Sequence, residues 1–150
     1  MKEFKLSIQK LIIGEIAFAL CIFYFLLPII NVGFIGLFIN LNDINVTSWE
    51  YVIGKKHFYN NPFALILFII PALLFLSAIT NKSFKTLGLI SLIGLISKIF
   101  FWSITDTKLR HAFYIGEYSM NNWLYLFVYI GLCAFSFICS VLLVDGKNKE

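Results

Sequence analysis

A run of nineteen residues with a single charge constrains the fold of this chain more than any other feature. Residues 86–104 have the sequence TLGLISLIGLISKIFFWSI, in which Lys98 is the charged residue. As a helix this run is about 28 Å long, close to the roughly 30 Å thickness of a bilayer's hydrocarbon core. The run therefore predicts a membrane-spanning helix. A lysine inside it requires neighbouring protein or water.

Three further apolar runs occupy residues 11–30, 63–79 and 122–144. The chain is 60% hydrophobic and 13% charged, with 17 Phe in 150 residues, which is more apolar surface than one soluble core of this size can bury. We therefore predict an all-α membrane protein with a single domain of four transmembrane helices. Its principal partner is the lipid bilayer, and residues 31–61 and 105–121 form two outer segments.

The distribution of Lys and Arg predicts the orientation. Seven flank the ends of the runs on the side of both termini, and four lie in the two outer segments. The positive-inside rule then places the N- and C-termini of this multi-pass membrane protein in the cytoplasm. The first run has no small-residue cleavage site after it, so we interpret it as a retained anchor. Because membrane topology explains the lysines, the net charge of +4 does not indicate nucleic-acid binding.

The first outer segment contains an aromatic, acidic and glycine box over residues 46–54. Thr47 and Glu50 have the spacing of a capping box, and Gly54 is suited to end a short helix in a left-handed conformation. That helix would present Trp49 and Tyr51 at the outer interface of the membrane, where such rings are favoured. Trp49, Glu50, Tyr51 and Gly54 are therefore the candidate interaction residues.

The same segment predicts a small outer β-sheet. Residues 33–40 and 44–46 flank a turn-like stretch at 41–43, which indicates a hairpin. Residues 109–115 of the second outer segment are predicted to add a strand.

Several of these features together resemble a known kind of protein. Pro28 closes the first run, the box of residues 46–54 follows, Asn61-Pro62 opens the second run, and Tyr118 precedes Trp123-Leu124 at the fourth. This order resembles that of small uncharacterised four-helix membrane proteins of bacteria, and the resemblance implies a fold without an activity. The outline is also similar to the claudin arrangement. The cysteine pair of the claudin first loop is absent, so a junctional role does not carry over.

The candidate intramembrane sites are three polar residues within the apolar runs: Glu15, Ser91 and Lys98. Ser91, Gly94 and Lys98 share one helix face, which predicts close packing against another helix with Lys98 directed inward. Glu15 is the other ionisable residue at membrane depth. Counted along the helices, Glu15 and Lys98 differ in depth by about 12 Å, so we do not expect them to pair. We prefer the interpretation that these two charges orient and anchor their helices. The alternative is that they form part of a proton or ion path.

The sequence contains no motif of a known enzyme class. Cys21, Cys133 and Cys139 lie inside apolar runs and form no C-x-x-C pair, which favours packing over thiol chemistry. His57 and His111 could meet loop carboxylates at a metal, but no ligand spacing supports this. We predict no enzyme activity, no metal and no cofactor.

The leading functional hypothesis is therefore a non-enzymatic membrane protein that binds another membrane or extracytoplasmic protein. One alternative is an immunity protein against a secreted toxin or bacteriocin. Another is a small homo-oligomeric channel or proton-linked transporter that uses Lys98 and Glu15.

Overall fold

Helices account for most of the chain in the computed structural model, which describes residues 6–31, 45–53, 62–113 and 120–143. The elements in chain order are helix α1 (Ile8–Leu26), strands β1 (Pro28–Asn31) and β2 (Asn45–Thr47), the short helix α2 (Ser48–Ile53), a 3-10 turn (Pro62–Leu65), and helices α3 (Ile66–Ile79), α4 (Phe84–Phe113) and α5 (Met120–Leu142). The predicted all-α class is confirmed at this level.

Helix α1 ends four residues before the predicted position. Its N-cap is Ser7, whose side chain accepts a hydrogen bond from the Lys10 amide at 3.3 Å. Its last residue is Leu26, and Leu27 is already extended. Leu27 precedes Pro28, and the proline ring disfavours helical backbone in the residue before it. The predicted span of residues 11–30 was therefore wrong at its C-terminal end.

The residues that follow Leu27 form a strand. β1 pairs antiparallel with β2, with Pro28 opposite Thr47 and Asn31 opposite Asn45, and a bulge lies between Pro28 and Ile30. β2 overlaps the predicted strand at residues 44–46. Its partner among the described residues is the stretch after α1, whereas the predicted partner, residues 33–40, lies outside the described residues.

Helix α3 begins with a tighter turn than predicted. Pro62 starts the 3-10 turn, a position where the missing proline N–H costs nothing. The α-helix follows from Ile66 and contains Pro71. Four 3-10 residues and fourteen α-helical residues together rise by about 29 Å.

The turn between α3 and α4 is a Schellman motif. The Lys82 amide donates to the Ser77 carbonyl at 2.9 Å, and the Asn81 amide donates to the Ala78 carbonyl at 3.0 Å. Asn81 has φ 53°, the left-handed conformation that this motif requires and that asparagine tolerates. The short turn at residues 80–83 thus forms the predicted helical hairpin.

Helix α4 is longer than predicted. It contains 30 residues and continues to Phe113, and α5 already begins at Met120. The predicted outer loop at 105–121 was therefore wrong over residues 105–113 and 120–121, and the predicted strand at 109–115 was wrong over residues 109–113. No proline or glycine occurs between Gly94 and Gly116, and Asp106 and Arg110 have the i, i+4 spacing that supports a helix. A started helix gains one hydrogen bond for each added residue, so it continues until a breaker.

The four long helices pack in the circular order α1, α3, α4 and α5, each mainly on two others. Two stretches, Ile8–Leu26 and Trp123–Leu142, are long and apolar enough to cross a membrane, and Ile66–Ile79 is a shorter apolar helix. These findings concern the described residues, and they support the predicted membrane location.

Candidate functional site

The capping box predicted for the first outer segment is present at the start of α2. The Glu50 amide donates to Thr47 Oγ1 at 3.2 Å, and the Thr47 amide donates to Glu50 Oε2 at 3.1 Å. A further hydrogen bond of 3.3 Å joins Thr47 Oγ1 to the same carboxylate oxygen. The reciprocal bonds satisfy backbone donors at both positions, so this six-residue helix has a fixed beginning.

Helix α2 has one buried face and one exposed face. Ser48 and Val52 are buried, whereas Trp49 and Ile53 are about two-fifths exposed. The Trp49 ring contacts the Phe25 ring of α1, with 5.5 Å between centroids. Trp49 and Ile53 are four positions apart and therefore share a helix face. We call this pair the α2 surface.

Two predicted residues of the box are described only in part. Tyr51 lies within α2, but its side chain is outside the described residues, and so is Gly54 as a whole. The roles predicted for their side chains stay predictions.

An aromatic cluster that the sequence analysis missed connects the α2 surface with the core. Phe25 contacts Phe68 at 4.7 Å in an edge-on arrangement, and Tyr24 lies 5.6 Å from Phe68 and 6.1 Å from Tyr125. Tyr129 stacks on Tyr125 at 6.3 Å. The cluster therefore joins α1, α3 and α5 at the end of the molecule that carries α2.

The three buried tyrosines of this cluster donate hydrogen bonds to backbone carbonyls of other helical segments. Tyr24 donates to Ala64 at 2.9 Å, Tyr129 donates to Gly94 at 3.3 Å, and Tyr125 donates to Leu67. Residue 71 would normally donate to the Leu67 carbonyl in the helix, but it is Pro71, which has no N–H. Tyr125 therefore supplies the donor that Pro71 lacks.

The predicted polar face of α4 is directed into the protein. Ser91 is fully buried and its hydroxyl donates to the Gly88 carbonyl at 2.8 Å, while Lys98 is 9% exposed. A Cβ placed on Gly94 would lie 2.7 Å from Ile70 of α3 and 3.1 Å from Cys133 of α5. Gly94 thus marks a close approach of three helices. The side chains of Trp102 and Asp106, one and two turns further along α4 from Lys98, lie outside the described residues.

Glu15 lies in a different environment from Lys98. It is exposed on α1, beside a groove between α1 and α3. Lys10, five positions before Glu15 on α1, is buried. Its Nζ donates to Asn81 Oδ1 at 3.1 Å and lies 4.6 Å from the centre of the Phe84 ring. The structure therefore does not bring the two candidate intramembrane charges to a common site.

The remaining candidate residues form no reactive group in the described part of the chain. Cys21, Cys133 and Cys139 are free thiols, and the described residues contain no cluster of three or more His, Cys, Asp or Glu able to hold a metal. His57 and the side chain of His111 lie outside the described residues.

No family model, curated protein or solved structure matches this chain. The resemblance to small four-helix membrane proteins of bacteria therefore stays a prediction.

Proposed function

We propose that this chain is a four-span membrane protein whose lipid-facing surface is the outer face of its four long helices. The support is the number of large apolar side chains that these helices expose: Leu26 is 71% exposed, Ile99 is 72% and Phe127 is 67%. The larger set of exposed apolar residues on the four helices is Ile8, Leu11, Ile12, Phe18, Ile22, Ile69, Leu73, Leu76, Ile79, Leu89, Leu92, Ile93, Ile96, Phe100, Leu124, Val128, Ile130, Ile138, Val141 and Leu142. Soluble monomers rarely expose apolar patches beyond a few hundred Å².

The polar residues buried between the helices support the same proposal. Ser91, Ser136 and Tyr129 are fully buried, whereas the apolar residues named above are exposed. In a bilayer the outward position of Leu, Ile and Phe costs nothing, and polar groups belong between helices where they find partners. Ser136 donates to the Leu132 carbonyl at 2.8 Å, so it is satisfied within its own helix.

In the proposed orientation the protein lies in the bacterial inner membrane, and both termini are on the cytoplasmic side. It depends on the excess of Lys and Arg on the side of the termini. At about 45 Å, helix α4 exceeds the hydrocarbon thickness, so its C-terminal part would project outward with Lys108 and Arg110. The α2 surface then lies on the extracytoplasmic side.

The proposed role is to bind another membrane or extracytoplasmic protein through the α2 surface. The observation that carries this proposal is the combination of a fixed helix with an exposed tryptophan. The capping box and the buried Ser48 and Val52 hold α2 in position, while Trp49 and Ile53 stay available. Tryptophan is one of the three residue types enriched in interface hot spots, with tyrosine and arginine.

Site-specific photocrosslinking in intact cells tests this role. A photoreactive phenylalanine analogue replaces Trp49 in one variant and Ile96, an equally apolar lipid-facing residue of α4, in the matched control. We expect a discrete protein adduct from position 49 and only lipid adducts from position 96. The absence of a protein adduct from position 49, or the same adduct from both positions, would contradict a partner on the α2 surface.

Toxin immunity is a form of the same proposal, in which the bound partner is a toxin or its receptor. It would be supported if expression of the chain protected cells and if Trp49→Ala removed the protection. The transport alternative uses Lys98 and Glu15, which have different environments. A flux in liposomes that Lys98→Met abolishes, without loss of folding, would favour transport over a passive binding protein.

A further inference from the structure

The exposed face of α1 has the spacing of a helix-packing seam. Exposed residues recur along it at alternating steps of three and four positions, so their side chains lie on one side of the helix. They are Ile8, Leu11, Glu15, Phe18, Ile22 and Phe25. Apolar residues at these steps are the pattern with which one helix packs along another over several turns. We call these six residues the α1 stripe.

The half of the α1 stripe nearer the N-terminus borders a groove. The groove has a volume of about 250 Å³, and its walls include Leu11 and Phe18 from α1 and Phe75 and Ile79 from α3. The rings of Phe18 and Phe75 lie 5.3 Å apart, measured between their centroids. Helices pack by inserting the side chains of one into the grooves of the other. The groove therefore suits the side chains of a helix that lies along the α1 stripe.

Glu15 is the charged residue of the α1 stripe. It is exposed and lines the groove, and no hydrogen bond or ion pair joins its carboxylate to another described residue. It lies five positions, about 7.5 Å, beyond Lys10, whose ammonium already contacts Asn81 in the turn between α3 and α4. Ionisable residues within membrane-spanning segments usually pair with a group of opposite charge. The described part of the chain does not supply that group to Glu15.

A second copy of this chain does not supply the missing cation either. A symmetric dimer through the α1 stripe would place the same surface of both copies together, with the two Glu15 carboxylates close to each other. Like charges repel strongly where the dielectric constant is low. Lys98, the cation of the run at residues 86–104, is buried on α4. The charge therefore favours a different protein as the occupant.

We propose that the α1 stripe binds a membrane-spanning helix of another protein, and that this helix carries one Lys or Arg at the depth of Glu15. Apolar side chains of the partner helix fill the groove beside Leu11 and Phe18, and its cation pairs with the Glu15 carboxylate. A single polar residue within an apolar seam fixes the register of two helices and the choice of partner. The apolar residues thus supply contact area, and Glu15 supplies specificity.

The α1 stripe adjoins the α2 surface. Phe25, at the end of the stripe, contacts the ring of Trp49, and α2 packs against both α1 and the 3-10 turn that precedes α3. One membrane protein can therefore contact the stripe within the bilayer and the α2 surface at its outer edge. This inference rests on the proposed membrane location, and it selects a membrane protein over a soluble extracytoplasmic protein as the partner.

Association with designed helices in liposomes tests the proposal. The full-length protein is reconstituted with one of three labelled peptides, each an apolar helix of about 20 residues. The peptides differ only in carrying Lys, Leu or Glu about 10 Å from one end, and energy transfer to the protein measures binding. We expect the wild type to bind the Lys peptide about three- to tenfold more tightly than the Leu peptide, the range for one polar contact between membrane helices. The Glu peptide should bind no better than the Leu peptide.

Two substitutions of Glu15 test the charge. Glu15→Gln should remove most of the preference for the Lys peptide, because the amide carries no charge. Glu15→Lys should reverse it, so that the Glu peptide binds more tightly than the Lys peptide. Both variants change an exposed side chain, and equal melting temperatures check that they fold as the wild type does.

A second pair of variants tests the groove. Leu11→Trp adds bulk inside the groove, and Leu89→Trp adds the same bulk at an exposed position of α4. We expect Leu11→Trp to weaken the binding of all three peptides and Leu89→Trp to leave it unchanged.

Three results would overturn the proposal. They are equal binding of the Lys and Leu peptides by the wild type, an unchanged preference in Glu15→Gln, and equal effects of Leu11→Trp and Leu89→Trp. If Glu15 instead meets lipid headgroups or a lysine of its own chain, the wild type shows the first of these results. Extraction of the liposomes with alkaline carbonate separates this proposal from the membrane location. A chain that stays in the membrane without preferring the Lys peptide removes only the helix-binding site, whereas a released chain removes the membrane location as well.

Discussion

At the scale of single residues, the hydrogen bond from Tyr125 of α5 to α3 joins two helices where α3 lacks one of its own backbone hydrogen bonds. Pro71 leaves the Leu67 carbonyl without its helical donor, and an unsatisfied carbonyl in a buried, apolar setting costs about 1–3 kcal/mol. The Tyr125 hydroxyl donates to that carbonyl from α5. The proline and the tyrosine therefore act as a pair, although 54 positions separate them in the sequence.

A double-mutant cycle tests this pairing. Tyr125→Phe in the wild type should lower the free energy of unfolding in detergent by about 1–2 kcal/mol, because it leaves the Leu67 carbonyl unsatisfied. In a Pro71→Ala background residue 71 supplies an N–H, so the same change should cost less than about 0.5 kcal/mol. Tyr129→Phe is the matched control, since its 3.3 Å bond is longer, and its cost should not depend on residue 71. Equal costs of Tyr125→Phe in both backgrounds would mean that the hydroxyl does not replace the lost donor.

At the scale of the elements, α4 and α5 approach closely through glycine. A Cβ on Gly88 would overlap the side chain of Ser140, whereas a Cβ on Gly131 would meet no atom within 4 Å. The two glycines therefore have opposite roles in the helix pair. Gly88 permits the contact, and Gly131 carries only the conformational cost of glycine in a helix, about 0.5–1 kcal/mol relative to alanine.

Alanine substitutions at these two glycines should change stability in opposite directions. Gly88→Ala should lower the free energy of unfolding by about 1–3 kcal/mol through overpacking, and Gly131→Ala should leave it unchanged or raise it slightly. Ser140→Gly should relieve the overlap and recover most of the loss in the Gly88→Ala background. Thermal unfolding in one detergent compares all four chains. A Gly88→Ala variant as stable as the wild type would contradict the close approach.

The cap of α2 is the second prediction at this scale. Thr47→Ala removes the acceptor of the Glu50 amide and one bond to the Glu50 carboxylate, which should cost the short helix about 1 kcal/mol. Hydrogen exchange followed by mass spectrometry should then report faster exchange over residues 48–53 and no change over residues 84–100. Thr80→Ala, which removes a 2.6 Å bond to the Leu76 carbonyl at the other end of the protein, is the control. Unchanged exchange over residues 48–53 would indicate that α2 is held by packing alone.

At the scale of the whole molecule, what the sequence predicted depends on how far apart the interacting residues lie. The apolar runs and the Thr47–Glu50 box are local patterns, and both have counterparts in the structure. The early end of α1 was also a local consequence of Pro28, whereas the extension of α4 reflected the absence of a breaker before Gly116. The aromatic cluster joins residues from distant parts of the chain. The only signals for it were Pro71 and the i, i+4 pair Tyr125 and Tyr129.

The distribution of polarity is the property of the whole molecule that the proposed function depends on. Tyrosine and serine hydroxyls are satisfied inside, and leucine, isoleucine and phenylalanine cover the outside. In water this arrangement would leave a large apolar surface exposed. In a bilayer the same surface is solvated by lipid, which is why the membrane is central to the proposal.

Collision measurements on spin labels test this central claim most directly. Single cysteines at Ile96 and Phe127, in a chain without Cys21, Cys133 and Cys139, carry nitroxide labels in liposomes, and a label at the exposed turn residue Lys82 is the aqueous reference. Positions 96 and 127 should be relaxed strongly by molecular oxygen, which partitions into lipid, and weakly by a water-soluble nickel chelate, with the opposite pattern at position 82. Nickel accessibility at positions 96 and 127 equal to that at position 82 would mean that the apolar surface faces water, and the account of a membrane-embedded protein would be wrong.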